Sequence, residues 1–228
     1  MPAAPRPATE GDRLRALESY RILDTAPEQV FDDLVAVAAH ICGTPISLIT
    51  LVDASRQWFK ANHGLTIGET RREHAFCAHA ILDTQPLIVP DATTDVRFAD
   101  NPYVVDDPSI RFYAGAPLTT PDGHALGTLC VLDRVPRELT AEQLSALQAL
   151  ARQAGALLEW RRTMDQLATA LASVRTLEGL IPICAGCKHV RDDAGFWTRV
   201  EAYVGERSGA TFSHGLCPSC ETELYPAP

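Results

Sequence analysis

The chain has 228 residues, of which 46% are hydrophobic and 21% charged, the composition of a folded protein with room for one medium domain and a smaller appendage. A formal charge of -9 offers no electrostatic footprint for a polyanion, and from Leu177 onward seven acidic side chains face four basic ones, so nucleic-acid binding is not expected. No apolar run approaches the ~18 residues that cross a bilayer, and seven cysteines, four of them in two Cys-x-x-Cys pairs, argue for a reducing, cytoplasmic setting over a secreted disulfide framework.

Residues 1–9, rich in Pro and Ala, read as a flexible N-terminus. Gly11 to Tyr20 reads as a short helix with Leu14, Leu17 and Ile22 on or near one face. Thr25-Ala-Pro-Glu28 has the Ser/Thr-x-x-Glu pattern of a capping box, with Phe31, Leu34, Val35, Ala38 and Ile41 at helical spacing behind it and Gly43 as the stop. The apolar, β-branched run Ile46 to Val52 and the segment Gln57 to Ala61 form a β-hairpin around Asp53 to Arg56. A helix is expected over Arg72 to Leu82, then a short strand over Pro86 to Val89. Asp91 to Pro108 is a long polar excursion with one helical turn near Arg97, and such loops are usually functional, so it is the candidate lid. Ile110 to Leu118 and Ala125 to Leu132 make an antiparallel pair joined by the turn Thr120-Pro-Asp-Gly123.

Thr140-Ala-Glu-Gln143 is a second capping box, and from it to about Leu177 only Gly155 interrupts helix-forming sequence. Two apolar stripes run along this helix, one residue out of phase. Leu144, Leu147, Ala151, Ala154 and Leu158 suit packing on the sheet. Leu157, Trp160, Met164, Leu167, Leu171 and Val174 step by three and four, as a left-handed coiled-coil seam does, and imply a homodimer through residues 157–174.

Cys184-Ala-Gly-Cys187 and Cys217-Pro-Ser-Cys220 are two knuckles within about 50 residues, a length that buries too little apolar surface to be assured of stability. Four thiolates complete a tetrahedral shell with no open position, so Cys184, Cys187, Cys217 and Cys220 are read as ligands of a structural zinc rather than as a catalytic centre, with His214 as a substitute ligand. Trp197, Val200 and Tyr203 have the helical spacing to cover that metal or, if exposed, to make a docking face.

The stretches Tyr20-Arg-Ile-Leu-Asp-Thr25, Asp53-Ala-Ser-Arg-Gln-Trp-Phe-Lys60, Phe76-Cys-Ala-His79, Val89-Pro-Asp-Ala92, Asp95-Val-Arg-Phe-Ala-Asp-Asn-Pro102, Ile110-Arg-Phe-Tyr-Ala-Gly115 and Gly127-Thr-Leu-Cys-Val-Leu-Asp133 together resemble the GAF domain of bacterial sensory and cyclic-dinucleotide signalling proteins, over roughly residues 10 to 160. The segment from Leu180 to Pro226 resembles a small four-cysteine module appended to bacterial sensor and response-regulator proteins. The resemblance implies an α+β fold with an antiparallel sheet, helices on one face and a ligand pocket on the other. It also implies that Trp58, Lys60, Phe76, Cys77, His79, Asp91, Phe98, Arg111, Tyr113 and Cys130 lie in or around one cavity for an unknown small molecule. For any one of these the plainer reading is core packing or a strand end; Arg111, between Ile110 and Phe112, needs either a ligand or an acidic partner such as Asp91 or Asp95.

Ala78 between Cys77 and His79 departs from bilin-binding relatives, and the cyclic-nucleotide signature is absent. No His stands between His124 and His189, so the long helix has no phosphoacceptor. The expected organisation is a sensory domain over 10–139, a helix over 140–177 and a zinc module over 178–228, forming a non-enzymatic sensor or adaptor with an unknown signalling partner and no membrane contact. The alternatives are a constitutive interaction scaffold with a filled pocket, and a thiol redox enzyme of the free methionine sulfoxide reductase type acting through Cys77 and Cys130.

Overall fold

A computed structural model describes residues 3–174, 182–192 and 194–224. The expected end of the long helix near Leu177, the residues Leu180, Ile181, Asp193, Tyr225 and Pro226, and the side chain of Val174 lie outside what is described. The chain divides into two compact units, Met1–Asp165 and Gln166–Pro228.

The first unit is built on a six-stranded antiparallel sheet of order β3-β2-β1-β6-β5-β4, with β1 Ile46–Val52, β2 Arg56–His63, β3 Glu69–Arg71, β4 Leu87–Val89, β5 Phe112–Thr119 and β6 Ala125–Asp133. The central strand β1 is buried at every position, because both faces of the sheet are covered. On one face lie α1 (Glu10–Ser19), α2 (Gln29–Cys42) and the long α5 (Ala141–Val174). Leu17, Phe31, Val35, Ala38, Leu147, Ala151, Ala154 and Leu158 pack there against Ile49, Leu51, Phe112, Leu129 and Val131. The first stripe of α5 therefore meets the sheet as its spacing predicts. Leu157 is half-buried against the same core, so it leaves the second stripe, whose members Trp160, Met164, Leu167 and Leu171 are exposed.

The opposite face is covered by short segments. The helix expected over Arg72 to Leu82 is broken at Ala75, whose extended backbone separates a 3-10 turn, Arg72–His74, from α3, Phe76–Ala80. The excursion after β4 contains α4, Pro102–Val105, started by Asn101, whose side chain accepts from the Tyr103 amide and donates to the His74 carbonyl. These straps close over a second core of Leu48, Phe59, Phe76, Cys77, Phe98, Ile110, Tyr113, Cys130 and Leu132.

A buried ion cluster ties α1 to this covering. Arg13, 1% exposed, pairs in a fork with Glu10, and Glu10 also receives Arg72, which in turn donates to the Asp53 carbonyl. Burial pushes the Glu10 carboxyl up, but the two guanidinium groups outweigh it and hold it at about 2.

The second unit carries the end of α5, a two-stranded ribbon of β7 (Val190–Arg191) and β8 (Trp197–Thr198), α6 (Val200–Ser208) and α7 (Pro218–Leu224). Among the described residues no helix is long and apolar enough to cross a membrane.

Candidate functional site

Between the sheet and its straps is a cavity of about 50 Å³, walled by Leu48, Phe59, Leu65, Phe76, Ile110 and Leu132. Sites for drug-sized ligands run to ~300 Å³ or more, so this volume suits a molecule of a few heavy atoms. Two features make it more than a packing defect.

At the β2–β3 rung, Gln57 stands opposite Thr70, and both line the cavity. Gln57 is 5% exposed, yet its Oε1 and the Thr70 Oγ1 have no hydrogen-bond partner. A buried polar atom left unpaired costs about 1–3 kcal/mol, which a bound molecule with a donor and an acceptor would relieve.

Elsewhere on the lining, Cys77 of α3 lies against β5 and β6. Its Sγ is 3.8 Å from the Cys130 Sγ, accepts from the Thr128 hydroxyl at 3.0 Å and accepts from the Tyr113 hydroxyl at 3.3 Å, while Thr128 lies 3.3 Å from Thr50. Desolvation raises a buried thiol, but donation from Cys130, Thr128, Thr50 and Tyr113 more than offsets it at Cys77, which falls below the usual thiol range. Burial and the neighbouring Cys77 push Cys130 and Tyr113 upward. The geometry therefore distinguishes the two thiols: the Thr128 and Tyr113 hydroxyls both point at Cys77 and favour its anion. Tyr113 reaches this place because residue 115 is glycine; a Cβ there would run into the tyrosine hydroxyl and ring.

Of the ten residues expected around one cavity, Phe76, Cys77, Tyr113 and Cys130 line it. Phe98 lies behind the lining, stacked on Phe76 at 4.2 Å between centroids. His79 sits edge-on to Phe98, held below its usual pKa by burial and by Arg97, with its Nε2 unpaired. Asp91 turns back on Thr93 and caps its own loop.

Arg111 donates to the carbonyls of Val104 and Ile110, while Asp95, one of its expected partners, is taken by Arg97. Trp58 and Lys60 are corrections, since both face the helices. Trp58 packs on the helix-side core. Lys60 is the unpaired residue of a bulge, because Ile49 pairs with Ala61 and Thr50 with Phe59. Its ammonium is buried, donating to Thr25 Oγ1 at 3.0 Å, the Ala26 carbonyl at 2.8 Å and Glu28 at 2.6 Å, over the Phe31 ring.

Sequence reasoning passed over Gln57, Thr70 and Thr128. Strand alternation would have found two of them, since Gln57 shares a face with Phe59 and Thr128 with Cys130.

In the second unit each cysteine pair is drawn together separately. Cys184 Sγ is approached by the amide and thiol of Cys187 and by the amides of Gly186 and Lys188, which lower its pKa. Lys188 takes φ +62° to close that turn. Cys217 is lowered in the same manner by Cys220 and by the Ser219 amide. Among the described residues no group of three or more His, Cys, Asp or Glu side chains is arranged to hold a metal ion. The donor chemistry of each pair nevertheless fits a thiolate metal, because convergent amide donors favour ionised sulfur. Trp197 and Val200, expected to cover the metal, are exposed; Tyr203 is buried under the Arg207 guanidinium.

The family profile described as "GAF domain" matches residues 26–158. The chain belongs to the GAF domain family, whose members are typical of signal-transduction sensors. A cyclic di-GMP phosphodiesterase of Pseudomonas aeruginosa is 46% identical over 153 residues, which are 67% of this chain and 26% of that protein, so this chain spans about a quarter of its relative's length. Among solved structures, the GAF domain of a phosphoenolpyruvate-protein phosphotransferase from Coxiella burnetii aligns with TM-score 0.52 at 15% identity, covering 68% of this chain and 95% of that one. The corresponding domain from Acinetobacter gives 0.51 at 18%, covering 68% and 96%. At such identities the likeness is one of fold.

Proposed function

We propose that the chain is a cytoplasmic, non-enzymatic signalling protein in which the cavity on the strapped face receives a small polar molecule. Occupancy would bias the long helix, and a zinc-held tail would present the outcome to a signalling partner. The observation that carries this reading is the unpaired Gln57 Oε1 and Thr70 Oγ1 on the lining of an otherwise apolar cavity. A ligand acts as a signal only if it binds one arrangement of the protein better than another. Movement of the straps would supply the second arrangement, since admitting a molecule larger than the present volume requires Phe76, Tyr103 and Pro108, all on the lining, to move.

Cys184, Cys187, Cys217 and Cys220 would hold the zinc, which supplies no reactivity there and instead ties the two knuckles together. The exposed Trp160, Met164, Leu167 and Leu171 would meet their counterparts in a second copy, burying a stripe that is unusual for a free surface. The phosphodiesterase relative is consistent with an input domain coupled to different outputs, and cyclic di-GMP hydrolysis is not carried over.

A second reading, the constitutive scaffold, is favoured by one observation: Arg111, the cation expected to need a ligand or an acidic partner, donates to the Val104 and Ile110 carbonyls. Native mass spectrometry of the protein purified from its source separates the two. A zinc-bearing dimer that co-purifies with a small molecule, lost in Gln57→Leu, is the expected result. A zinc-bearing dimer with no additional mass supports the scaffold. A monomer without zinc or ligand overturns both.

A further inference from the structure

Three features meet at the cavity that the sensor reading does not use. Two thiols share its wall, each with no more than 1% of its surface exposed. Their sulfurs are in van der Waals contact at 3.8 Å, about 1.8 Å beyond a disulfide bond length. One of them, Cys77, collects the Thr128 and Tyr113 hydroxyls at 3.0 and 3.3 Å, while Cys130 shares Thr128 and takes the Leu48 amide but has no tyrosine donor. An inert buried cysteine has no such arrangement. Cys42 supplies the contrast within this chain: it is equally buried, lies in the helix-side core and is pushed up by burial alone.

We infer that Cys77 and Cys130 form an oxidant-reactive dithiol, with Cys77 the nucleophile toward a small hydroperoxide held in the cavity and Cys130 the resolving thiol. The chemistry balances in two steps. The Cys77 thiolate attacks the terminal oxygen of R–O–OH, where R is hydrogen or a short alkyl group; the S–O bond forms as the O–O bond breaks, and the departing oxygen takes a proton from solvent to leave as water or alcohol. Cys130 then attacks the sulfenic sulfur, its proton goes to the departing hydroxyl, and the S–S bond forms as the S–O bond breaks and water leaves. Two thiols lose two electrons, and one peroxide gains them.

The cavity selects for this class of molecule. Its volume admits a few heavy atoms and excludes a nucleotide or a peptide. A hydroperoxide carries a donor and an acceptor together, which match the unpaired Gln57 Oε1 and Thr70 Oγ1. The thiol end supplies the third requirement, a sulfur surrounded by donors that stabilise its anion. Closing the last gap draws α3 toward β6, so oxidation would pull on the strap that carries Phe76 and, through its stacked ring, on Phe98.

The inference rests on reading this cavity as the input site, and it names the input. Its test uses the full chain, reduced, zinc-loaded and then exposed to hydrogen peroxide. Remaining thiols are alkylated under denaturing conditions and the protein is mapped without reduction. The expected product is a Cys77–Cys130 disulfide, formed about tenfold faster than any oxidation of Cys42 and reversed by dithiothreitol. In Cys130→Ser a cyclic 1,3-dione should label Cys77, which requires no disulfide geometry and guards against a variant that fails for other reasons. Gln57→Leu should slow the wild-type reaction. Cys77 and Cys130 that stay reduced, or that oxidise no faster than Cys42, overturn the inference, and the sensor reading survives if native mass spectrometry still finds a ligand. A fast disulfide in a protein that is monomeric and zinc-free supports the inference while removing the proposed relay.

Discussion

The two units of this chain are stabilised by different means. In Met1–Asp165 both faces of the sheet are buried, and the residues that cover them fall in two continuous clusters. In Gln166–Pro228 Val190 and Tyr203 are the only buried hydrophobic side chains among the described residues, while Phe196, Trp197, Phe212, Leu216 and Leu224 keep from 45% to 70% of their surface exposed. A fully buried side chain of this kind contributes about 1.5–3 kcal/mol, so the first unit has a core to set against its conformational entropy, while among its described residues the second has almost none. The contrast makes the zinc proposal a statement about stability before it is one about signalling.

The largest effect should follow from removing the zinc proposed for the tail. A structural zinc contributes on the order of 10 kcal/mol to a small thiolate domain. Chelation with an excess of 1,10-phenanthroline should therefore unfold the tail and leave the sheet domain intact. Limited proteolysis should cut within residues 182–224 after chelation, while residues 10–165 stay protected, and added zinc should restore the tail. Equal protection of the tail before and after chelation would mean that something other than metal holds it.

The next effect lies in the first unit and leaves the second untouched. Glu10→Gln strands two buried guanidinium groups, Arg13 and Arg72, and breaking a buried pair costs about 3 kcal/mol. Thermal melting should show that loss in the sheet domain, with the metal content unchanged. The same residue sets a pH dependence. Its carboxyl is depressed in the folded protein to about 2 from an ordinary 4.5, so its contribution is complete above pH 4.5 and is lost as the pH falls toward 2. In the Gln variant the acid-side slope of stability should flatten over that window; an unchanged slope would move the acid sensitivity to other carboxylates.

Much of the first unit was legible from residue patterns. Five of its six strands, the C-cap at Gly43 with φ +63° and the sheet-facing stripe of α5 all follow from alternation, turn chemistry and helical spacing. The cavity was half legible. Phe76, Cys77, Tyr113 and Cys130 come together, but Trp58 and Lys60 alternate with the cavity-lining Gln57 and Phe59 and so face the helices, where Thr25, Ala26 and Glu28 hold the Lys60 ammonium, tertiary partners that composition and periodicity do not mark. The helix expected over Arg72 to Leu82 fails for a related reason. Ala75 is a good helix former held extended so that the Arg72 guanidinium can reach Glu10 on one side while Phe76 and Cys77 enter the core on the other.

The two capping boxes carry the same lesson to its smallest scale and supply the weakest of the expected effects. Thr25-Ala-Pro-Glu28 and Thr140-Ala-Glu-Gln143 look alike, and only the second closes: the Gln143 amide donates to Thr140 Oγ1 at 3.2 Å and the Thr140 amide to Gln143 Oε1 at 3.0 Å. In the first, Lys60 takes both the threonine hydroxyl and the glutamate, and α2 starts at Gln29 with no side-chain cap. Thr140→Ala should thus cost about 1 kcal/mol, the usual worth of an N-cap, and lower the melting temperature by ~3 °C, with Thr140→Ser restoring most of it. Thr25→Ala removes no cap and instead withdraws an acceptor from a buried ammonium, so it should cost more than Thr140→Ala, and Thr25→Ser should rescue it by keeping the oxygen. If both alanine variants instead lose the same small amount, Lys60 has found another acceptor, and the first motif was no more than a surface turn.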